Sequence, residues 1–261
     1  MSIRRGRAAL ATTVVLIALV GCTPPTDASP SASAEADPSG TVTVFAAASL
    51  TETFDALAEE FERRHPSVEV VVNYGGSAAL AQQIVSGAPA DVFAAANETT
   101  MRTVEDEGLA ADPVAFATNT LELIVPAGNP GDVTGLPDLA RTDLAIALCD
   151  PVVPCGAAAE AVLAAAGIAA AADTLEEDVK AVVTKVRLGE ADAGLVYVTD
   201  VRAAGGDVEG IAIAEADDAI NVYPVSPITD SPRPDLAAAW IDLLTGPAGR
   251  AVLAEAGFGA P

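Results

Sequence analysis

The residues best suited to chemistry in this chain stand at four joins, where a strand or loop passes through a turn of small or polar residues into a predicted helix. The joins are "AAAS" ending at Ser49, "YGGS" ending at Ser77, "VPCG" with Cys155 and Gly156, and "EEDV" with Asp178 and Val179. The start of a helix leaves several backbone N–H groups unpaired and carries about half a positive charge. Four such starts turned toward one cleft would bind an anion without any cationic side chain.

A simpler interpretation of these joins is local. Serine and aspartate are favoured helix caps, so Ser49, Ser77 and Asp178 could each do no more than cap the helix that follows. The alanines and glycines before the two serines argue for more, because residues without bulk let the backbone come close to a ligand. Tyr197, in "GLVYVTD", also has two interpretations: core packing with its hydroxyl bonded to the backbone, or one more neutral donor near a strand end.

Catalysis has little support in the sequence. The chain contains neither a G-x-S-x-G nucleophile elbow nor a phosphate-binding P-loop. His65 is the single histidine, and Pro66 follows it at a predicted helix end, away from the serine joins. A secreted hydrolase that uses Ser49 or Ser77 therefore stays an alternative without an evident general base.

The charge of the chain argues against two classes of partner. With 13 basic and 37 acidic residues, the formal net charge is -24. Nucleic acids and anionic membrane surfaces are polyanions, so this balance disfavours both. A small anion inside a cleft is not excluded, because exposed charges are screened within about 8–10 Å at ordinary salt.

The N-terminal residues are typical of an exported lipoprotein. Three arginines precede an apolar run over 8–20 that is too short to span a bilayer comfortably. The run ends in "LVGC", which resembles the bacterial lipobox and predicts a signal peptide over 1–21 and a lipid on Cys22. A transmembrane anchor and an ordinary signal peptide are the alternatives. Residues 22–40, rich in Pro, Ser, Ala and Asp, predict a disordered tether before the folded part.

The two remaining cysteines, Cys149 and Cys155, suggest a disulfide, because the chain is predicted to be exported to an oxidising compartment. The closed loop is small, so the chain-entropy argument gives a stabilisation of only about 2 kcal/mol. A metal site is the rival interpretation, but two thiols and one distant histidine do not fill the shell of a zinc ion. We therefore predict no cation site and no cofactor.

Strand and helix signals alternate along the rest of the chain. Apolar, β-branched runs such as "TVTVFAA" and "VEVVVNYG" alternate with segments of helical period, for example the one in which Leu50, Phe54, Leu57 and Phe61 share a face. This order predicts an α/β protein with parallel sheets and helices on their faces. Two such sheets, joined by strands that cross and return, would leave a cleft at the carboxyl ends of the strands, where the four joins fall.

From Thr41 to Phe258 the chain resembles the molybdate-binding members of the periplasmic-type solute-binding proteins that serve ABC transporters. The resemblance rests on "VFAAASL", "AQQIVSGAPADVF", "DPVVPCG", "EDVKAVV" and "GLVYVTD", in that order. It implies a two-lobed type II fold, in which each lobe is a mostly parallel sheet flanked by helices and the ligand cleft lies between the lobes. The implied limits are 41–118 plus 219–261 for lobe 1 and 119–218 for lobe 2.

The same resemblance implies which groups hold the ligand, a tetrahedral oxyanion bound by hydrogen bonds alone. It implies hydroxyl donors at Ser49, Ser77 and Tyr197, and backbone N–H donors at Ser49, Cys155 and Val179. The chain departs from the family's pattern in the glycines before Ser77, in a loop one residue shorter before the third join, and in its two cysteines. The contact at Cys155 needs only backbone, so these changes leave the site plausible, and a disulfide would stiffen that turn.

The implied function is to capture molybdate, or tungstate of nearly equal size, and to deliver it to a membrane permease powered by a separate ATPase. The expected protein is an extracytoplasmic monomer, anchored to the cell membrane through Cys22, with no nucleic-acid partner. A site built only of donors would reject a protonated oxyanion, and the smaller sulfate would lose contacts. The alternatives are a receptor for another small anion such as sulfate or phosphate, the secreted hydrolase, and an adhesion or scaffold lipoprotein.

Overall fold

The computed structural model of this protein describes residues 38–261. The predicted signal peptide, the predicted lipidation site Cys22 and nearly all of the predicted tether lie outside the described residues and stay predictions. Within the described residues, ten strands form two sheets of five, each flanked by helices. The α/β class and the two-lobed type II architecture predicted from the sequence are confirmed.

The first sheet has the strand order β2-β1-β3-β10-β4. Its strands are β1 Gly40–Ala47, β2 Val68–Gly75, β3 Val92–Ala94, β4 Val114–Asn119 and β10 Asn221–Pro227. Strand β1 pairs in parallel with β2 and β3, whereas β10 runs antiparallel to β3 and β4. The sheet is therefore mixed, with one returning strand against four, and not purely parallel.

Five helices surround the first sheet and bury their apolar faces. They are α1 Thr51–Arg64, α2 Ser77–Val85, α3 Glu98–Glu105, α7 Pro234–Thr245 and α8 Pro247–Ala256. Phe54, Leu57 and Phe61 of α1, which share the predicted face, are all buried. Trp240 of α7 meets the rings of Phe54 and Phe61 edge-on, with centroids 5.6 and 5.7 Å away. Phe45 points to the opposite face of the sheet, where it packs with α2 and α3.

The second sheet repeats the arrangement of the first, with the order β7-β6-β8-β5-β9. Its strands are β5 Leu121–Pro126, β6 Ile146–Cys149, β7 Thr174–Glu176, β8 Ala193–Tyr197 and β9 Val208–Ile211. Strands β6, β7 and β8 pair in parallel, and β5 runs antiparallel to β8 and β9. The helices are α4 Pro154–Ala166, α5 Val179–Arg187 and α6 Val198–Ala204. We refer to each sheet with its helices as a lobe.

The chain passes between the two sheets twice. Only Thr120 separates β4 from β5, and 212–220 leads from β9 back to β10. These short crossings let the second lobe sit as an insertion between two parts of the first. The residue limits proposed for the lobes from the sequence stay predictions.

Three short strands and one helix differ from the sequence-based expectation. Strands β4, β7 and β9 were not predicted; β7 and β9 have only three and four residues, too few for a clear period. The "VTD" run after Tyr197, expected to extend a strand, instead begins α6. The physical reason is local, because Asp200 Oδ2 accepts the N–H of Tyr197 at 3.3 Å and so closes a turn at this point. No helix within 38–261 is both long and apolar enough to cross a membrane.

Candidate anion-binding site

All five residues predicted to hold the ligand line a single cavity between the two sheets. Ser49 and Ser77 come from the first lobe, and Cys155, Val179 and Tyr197 come from the second. The volume of this cavity, measured as the space that the centre of a water-sized sphere can reach, is about 20 Å³. That is room for one compact anion.

Ser49 lies in a short 3₁₀ helix, Ala48–Leu50, that links β1 to α1. The serine is 4% exposed, and its Oγ lies 2.9 Å from the Oη of Tyr223 on β10. Its hydroxyl does not cap α1. Because a hydroxyl can accept one hydrogen bond and still donate its own proton, Ser49 can accept from Tyr223 and donate into the cavity.

Ser77 is the first residue of α2, and it does not cap that helix either. Its Oγ accepts a hydrogen bond from the backbone N–H of Ala96, with a nitrogen–oxygen distance of 3.0 Å. The N–H of Ala96 can only donate, so this bond uses a lone pair of Ser77 and leaves its proton free. Ser77 lines the cavity and can direct that proton into it.

The second lobe supplies two helix starts. Cys155 is the second residue of α4, after Pro154, and Val179 is the first residue of α5. The N–H groups of a first helical turn have no partner within the helix, so both residues offer backbone donors. Asp178 caps α5, since its Oδ1 accepts the N–H of Ala181 at 2.9 Å. The capping interpretation therefore holds for Asp178 and not for the two serines.

Tyr197 ends β8 and is 1% exposed. Its hydroxyl is bonded to a side chain, not to the backbone: the Nδ2 of Asn221 donates to the Tyr197 Oη at 2.8 Å. Burial raises the pKa of Tyr197 well above its ordinary value, and the neighbouring Tyr223 and Asp200 add to the shift. The phenol therefore stays protonated and is available as a donor.

The cavity wall has groups that can attract an anion without cationic side chains. Among residues 38–261, no lysine or arginine lines it, and Asp178, the one charged residue of that range in the lining, uses its carboxylate as a helix cap. The starts of α2, α4 and α5 all stand at the cavity wall. Their unpaired N–H groups and the aligned peptide dipoles give the void a positive potential.

A disulfide joins Cys149, at the end of β6, to Cys155, with Cα atoms 5.8 Å apart. Between them the chain makes a tight turn, in which the N–H of Val153 bonds to the carbonyl of Asp150 at 3.0 Å. A Cβ on Gly156 would overlap the carbonyl oxygen of Asp150, so only glycine fits there. The crosslink and the glycine together hold the turn that presents the Cys155 N–H.

The two lobes touch directly beside the cavity. A Cβ built on Gly76, just before α2, would overlap the backbone carbonyl oxygen of Glu177 in the second lobe. A Cβ on the neighbouring Gly75 would meet only Leu80, at an ordinary 3.6 Å. Both glycines line the cavity, so the expectation that they make room for a ligand stays a prediction, and Gly76 makes room for the opposite lobe as well.

An ion cluster also joins the lobes. The Nζ of Lys180 on α5 lies 2.7 Å from Glu52 on α1 and 3.2 Å from the buried Asp200. Burial raises the pKa of Asp200 to about 6, although Lys180 opposes the shift. Glu52 and Lys180 stand next to the turns that carry Ser49 and Val179, so this pair forms where the lobes close.

The hydrolase alternative finds no support at the two serines. Ser49 bonds to a tyrosine and Ser77 to a backbone N–H, so neither has an imidazole or carboxylate partner. His65 ends α1 and packs on Phe61, with ring centroids 4.7 Å apart. In the described part of the chain, no three His, Cys, Asp or Glu side chains are grouped so that they could hold a metal ion.

Sequence reasoning missed the residues that stand behind the cavity wall. Asn221 and Tyr223 lie on β10, and each bonds to a hydroxyl of the predicted site. Both sit in "INVYPVSP", which the sequence analysis treated only as a strand and crossover. The polar Asn221 at the first position of a mainly apolar strand was an available signal.

Comparison with known proteins places the chain in a large group of binding proteins. The model of a family described as "Bacterial extracellular solute-binding protein" matches residues 42–259. The molybdate-binding protein ModA of Mycobacterium tuberculosis is 39% identical over 221 residues, which cover 84% of this chain and 85% of that protein.

Two solved structures share the fold. The periplasmic molybdate-binding protein of Azotobacter vinelandii matches with a TM-score of 0.71 and 24% identity over 84% of this chain and 99% of that chain. The sulfate-binding protein SubI of Mycobacterium tuberculosis matches with a TM-score of 0.73 and 18% identity over 84% of this chain and 86% of that chain. At these identities the likeness concerns the fold and not the ligand.

Proposed function

The chain belongs to the family of bacterial extracellular solute-binding proteins, and from this we propose that it binds molybdate outside the cytoplasmic membrane and delivers it to an ABC importer. One observation carries the choice of ligand. The five residues implied by resemblance to molybdate-binding proteins line one cavity with room for one compact anion. The molybdate-binding protein ModA of Mycobacterium tuberculosis, which is 39% identical to this chain, supports the same ligand.

The proposed binding chemistry uses neutral donors only. Three hydroxyls, from Ser49, Ser77 and Tyr197, and the N–H groups of Ser49, Cys155 and Val179 would share the anion's four oxygens. A hydrogen bond to a charged acceptor contributes about 1.5–3 kcal/mol when water is excluded. Several such bonds offset the loss of the anion's hydration, so a full positive charge is not needed.

Size and protonation would set the selectivity. Tungstate is nearly equal in size to molybdate, so we propose that the site takes both. Sulfate is smaller and would leave donors on one side unpaired, at a cost of about 1–3 kcal/mol for each buried group. The fold shared with a sulfate-binding protein makes sulfate the ligand to test against.

Capture would follow closure of the lobes. Ser49 and Ser77 stand on one lobe and Cys155, Val179 and Tyr197 on the other, so only the closed form surrounds the ligand. The two short crossings at Thr120 and 212–220 are the places where a hinge motion would occur. The closed form would then dock on the permease, which draws its energy from a separate ATPase.

We propose that the protein works as a lipid-anchored monomer. The "LVGC" motif supports cleavage before Cys22 and a lipid on that cysteine. The family's description as extracellular agrees with an exported chain. Relatives named for binding, and serines without a base, both support a role without catalysis.

Titration of the purified protein with molybdate, tungstate and sulfate by calorimetry tests the proposal. We expect dissociation constants in the micromolar range or tighter for the first two, and sulfate at least about 100-fold weaker, the equivalent of about 2.7 kcal/mol. Ser49→Ala combined with Ser77→Ala removes two donors. Molybdate affinity should then fall at least about 100-fold. The melting temperature should fall as well, because the Tyr223 hydroxyl and the Ala96 N–H lose their partners, but the protein should still fold.

A matched control is Ser226→Ala. Ser226 is as buried as the site serines, but its hydroxyl bonds to the carbonyl of Ala111, outside the cavity. This variant should bind molybdate like the unchanged protein. Unchanged affinity in the double serine variant would reject the site, tight sulfate binding without molybdate binding would reassign the ligand, and turnover of ester substrates would favour the hydrolase.

A further inference from the structure

Asn221 occupies the point where the two lobes and the cavity meet. It opens β10 directly after the second crossing and is 7% exposed. Its Nδ2 lies 2.8 Å from the carbonyl oxygen of Ala96 in the first lobe. The same nitrogen lies 2.8 Å from the Oη of Tyr197 and 3.5 Å from the carbonyl oxygen of Pro154, both in the second lobe. One buried amide therefore contacts both walls.

The neighbours of Asn221 fix which way its amide points. The carbonyl oxygens of Ala96 and Pro154 can only accept hydrogen bonds, so the atom that faces them must be the NH₂ group. The amide oxygen in that position would be repelled by both. The Tyr197 hydroxyl faces the same NH₂ group, so it must accept, and its own proton must be donated elsewhere.

The peptide group of Ala96 links the amide of Asn221 to a second hydroxyl, that of Ser77. Its carbonyl accepts from Asn221 at 2.8 Å, and its N–H donates to the Oγ of Ser77 at 3.0 Å. Ser77 and Tyr197 stand on opposite lobes, yet both accept from this one chain of hydrogen bonds. Each is left with a single proton to donate, and both residues line the cavity.

We propose that Asn221 is the positioning residue that commits the Tyr197 hydroxyl to donate, and thereby strengthens the preference of the cavity for fully deprotonated oxyanions. This inference rests on the proposed function of the cavity. An anion that keeps a proton would bring its O–H against the Tyr197 O–H and not against an acceptor at that position. Without Asn221, the Tyr197 hydroxyl could turn its lone pairs inward and accept such a proton.

The test compares molybdate, which is fully deprotonated at neutral pH, with arsenate, a tetrahedral oxyanion that keeps one proton there. Affinities for both are measured by calorimetry, with arsenate also measured by competition, on the unchanged protein and on Asn221→Ala. We expect the preference for molybdate over arsenate to narrow at least tenfold in the variant. If Asn221 had only a structural role, its replacement would lower the affinities for both anions by the same factor.

Tyr197→Phe shows whether Asn221 acts through the hydroxyl. In the Tyr197→Phe background, Asn221→Ala should no longer change the ratio of the two affinities. Ser226→Ala is the control: Ser226 is also buried and lies on the same strand as Asn221, but its hydroxyl donates to the carbonyl of Ala111, and neither residue lines the cavity. Its effect should add to that of Tyr197→Phe without altering the ratio.

Two results would overturn the inference: an unchanged ratio in Asn221→Ala, or a narrowed ratio that persists without the Tyr197 hydroxyl. If the alanine variant does not fold, Asn221→Ser, whose side chain is too short to span to Tyr197, carries the same expectation. An unchanged protein that fails to bind molybdate contradicts the proposed function instead, so the two failures are distinguishable.

Discussion

Gly76→Ala should separate ligand binding from folding, because the added methyl group is harmless until the lobes close. Gly76 has φ -60° and ψ 126°, a conformation that alanine adopts without strain. In the closed structure, however, the new Cβ would overlap the carbonyl oxygen of Glu177 and would come within 3.3 Å of its carbonyl carbon. Both are backbone atoms, so neither can swing aside.

The size of the effect follows from that overlap. The lobes would have to stay apart by roughly 1 Å at this edge to restore an ordinary contact. A shift of that size takes N–H donors such as those of Cys155 and Val179 out of hydrogen-bond range, and each bond to a charged oxygen is worth about 1.5–3 kcal/mol. Losing one bond weakens molybdate binding by about 10- to 100-fold. The open, ligand-free form should be as stable as before or gain about 0.4–1 kcal/mol from the stiffer unfolded chain.

Calorimetry for affinity, thermal melting of the ligand-free protein and small-angle X-ray scattering with and without molybdate check this expectation. The variant should lose affinity and ligand-induced compaction while keeping its melting temperature. Gly75→Ala is the matched control, since its Cβ would meet only Leu80 at 3.6 Å. Molybdate affinity within twofold of the unchanged protein for Gly76→Ala would refute the idea that this closed geometry is the binding form.

Three further changes test the charges and the crosslink around the cavity. Asp200→Asn should flatten the pH dependence of the free energy of unfolding. The pKa of Asp200 is raised to about 6, so the folded state holds this proton more tightly than the unfolded state does. The stability that the bound proton contributes is therefore lost as pH rises through 6. Melting temperatures of both proteins between about pH 4 and pH 7 measure this, and parallel curves would refute it. Glu52→Gln breaks a half-exposed ion pair with Lys180. Molybdate affinity should therefore fall by no more than about fivefold, and this loss should shrink at high salt. A tenfold loss of affinity at any salt concentration would contradict the reasoning. Replacing Cys149 and Cys155 by serine should lower the free energy of unfolding by about 2 kcal/mol, and a reducing agent should do the same to the unchanged protein but nothing to the variant.

Local features of the site were readable from the sequence because they depend on neighbours in the chain. The turn before Ser77, the helix that begins at Val179 and the cap at Asp178 are all set by residues within a few positions. The apolar face of α1 was equally visible in the spacing of Phe54 and Phe61. Resemblance then grouped these starts into one predicted site, and the structure brings its five residues to one cavity.

The partners of those donors were not readable, because they come from distant parts of the chain. Ser49 meets Tyr223 across 174 positions, and Tyr197 meets Asn221 only because β10 returns to the first sheet after the second lobe is complete. The close contact between Gly76 and Glu177 of the second lobe could not be predicted for the same reason. A glycine before a helix predicts a close approach, but nothing local says that the opposite lobe makes it.

Neutral donors and lobe closure solve a problem that a cationic side chain would not. A lysine in the cavity would attract any anion, whatever its size or protonation, since a point charge carries little geometric information. A hydroxyl that already accepts a bond from a fixed neighbour carries more of that information, because the neighbour restricts the directions in which the hydroxyl can donate. Since Ser77 and Tyr197 sit on opposite lobes and are ordered through Asn221 and Ala96, the donor pattern is complete only when the lobes meet. Under the proposed function, selectivity and closure would depend on the same hydrogen-bond chain, and opening the lobes would release the anion without any change in its charge.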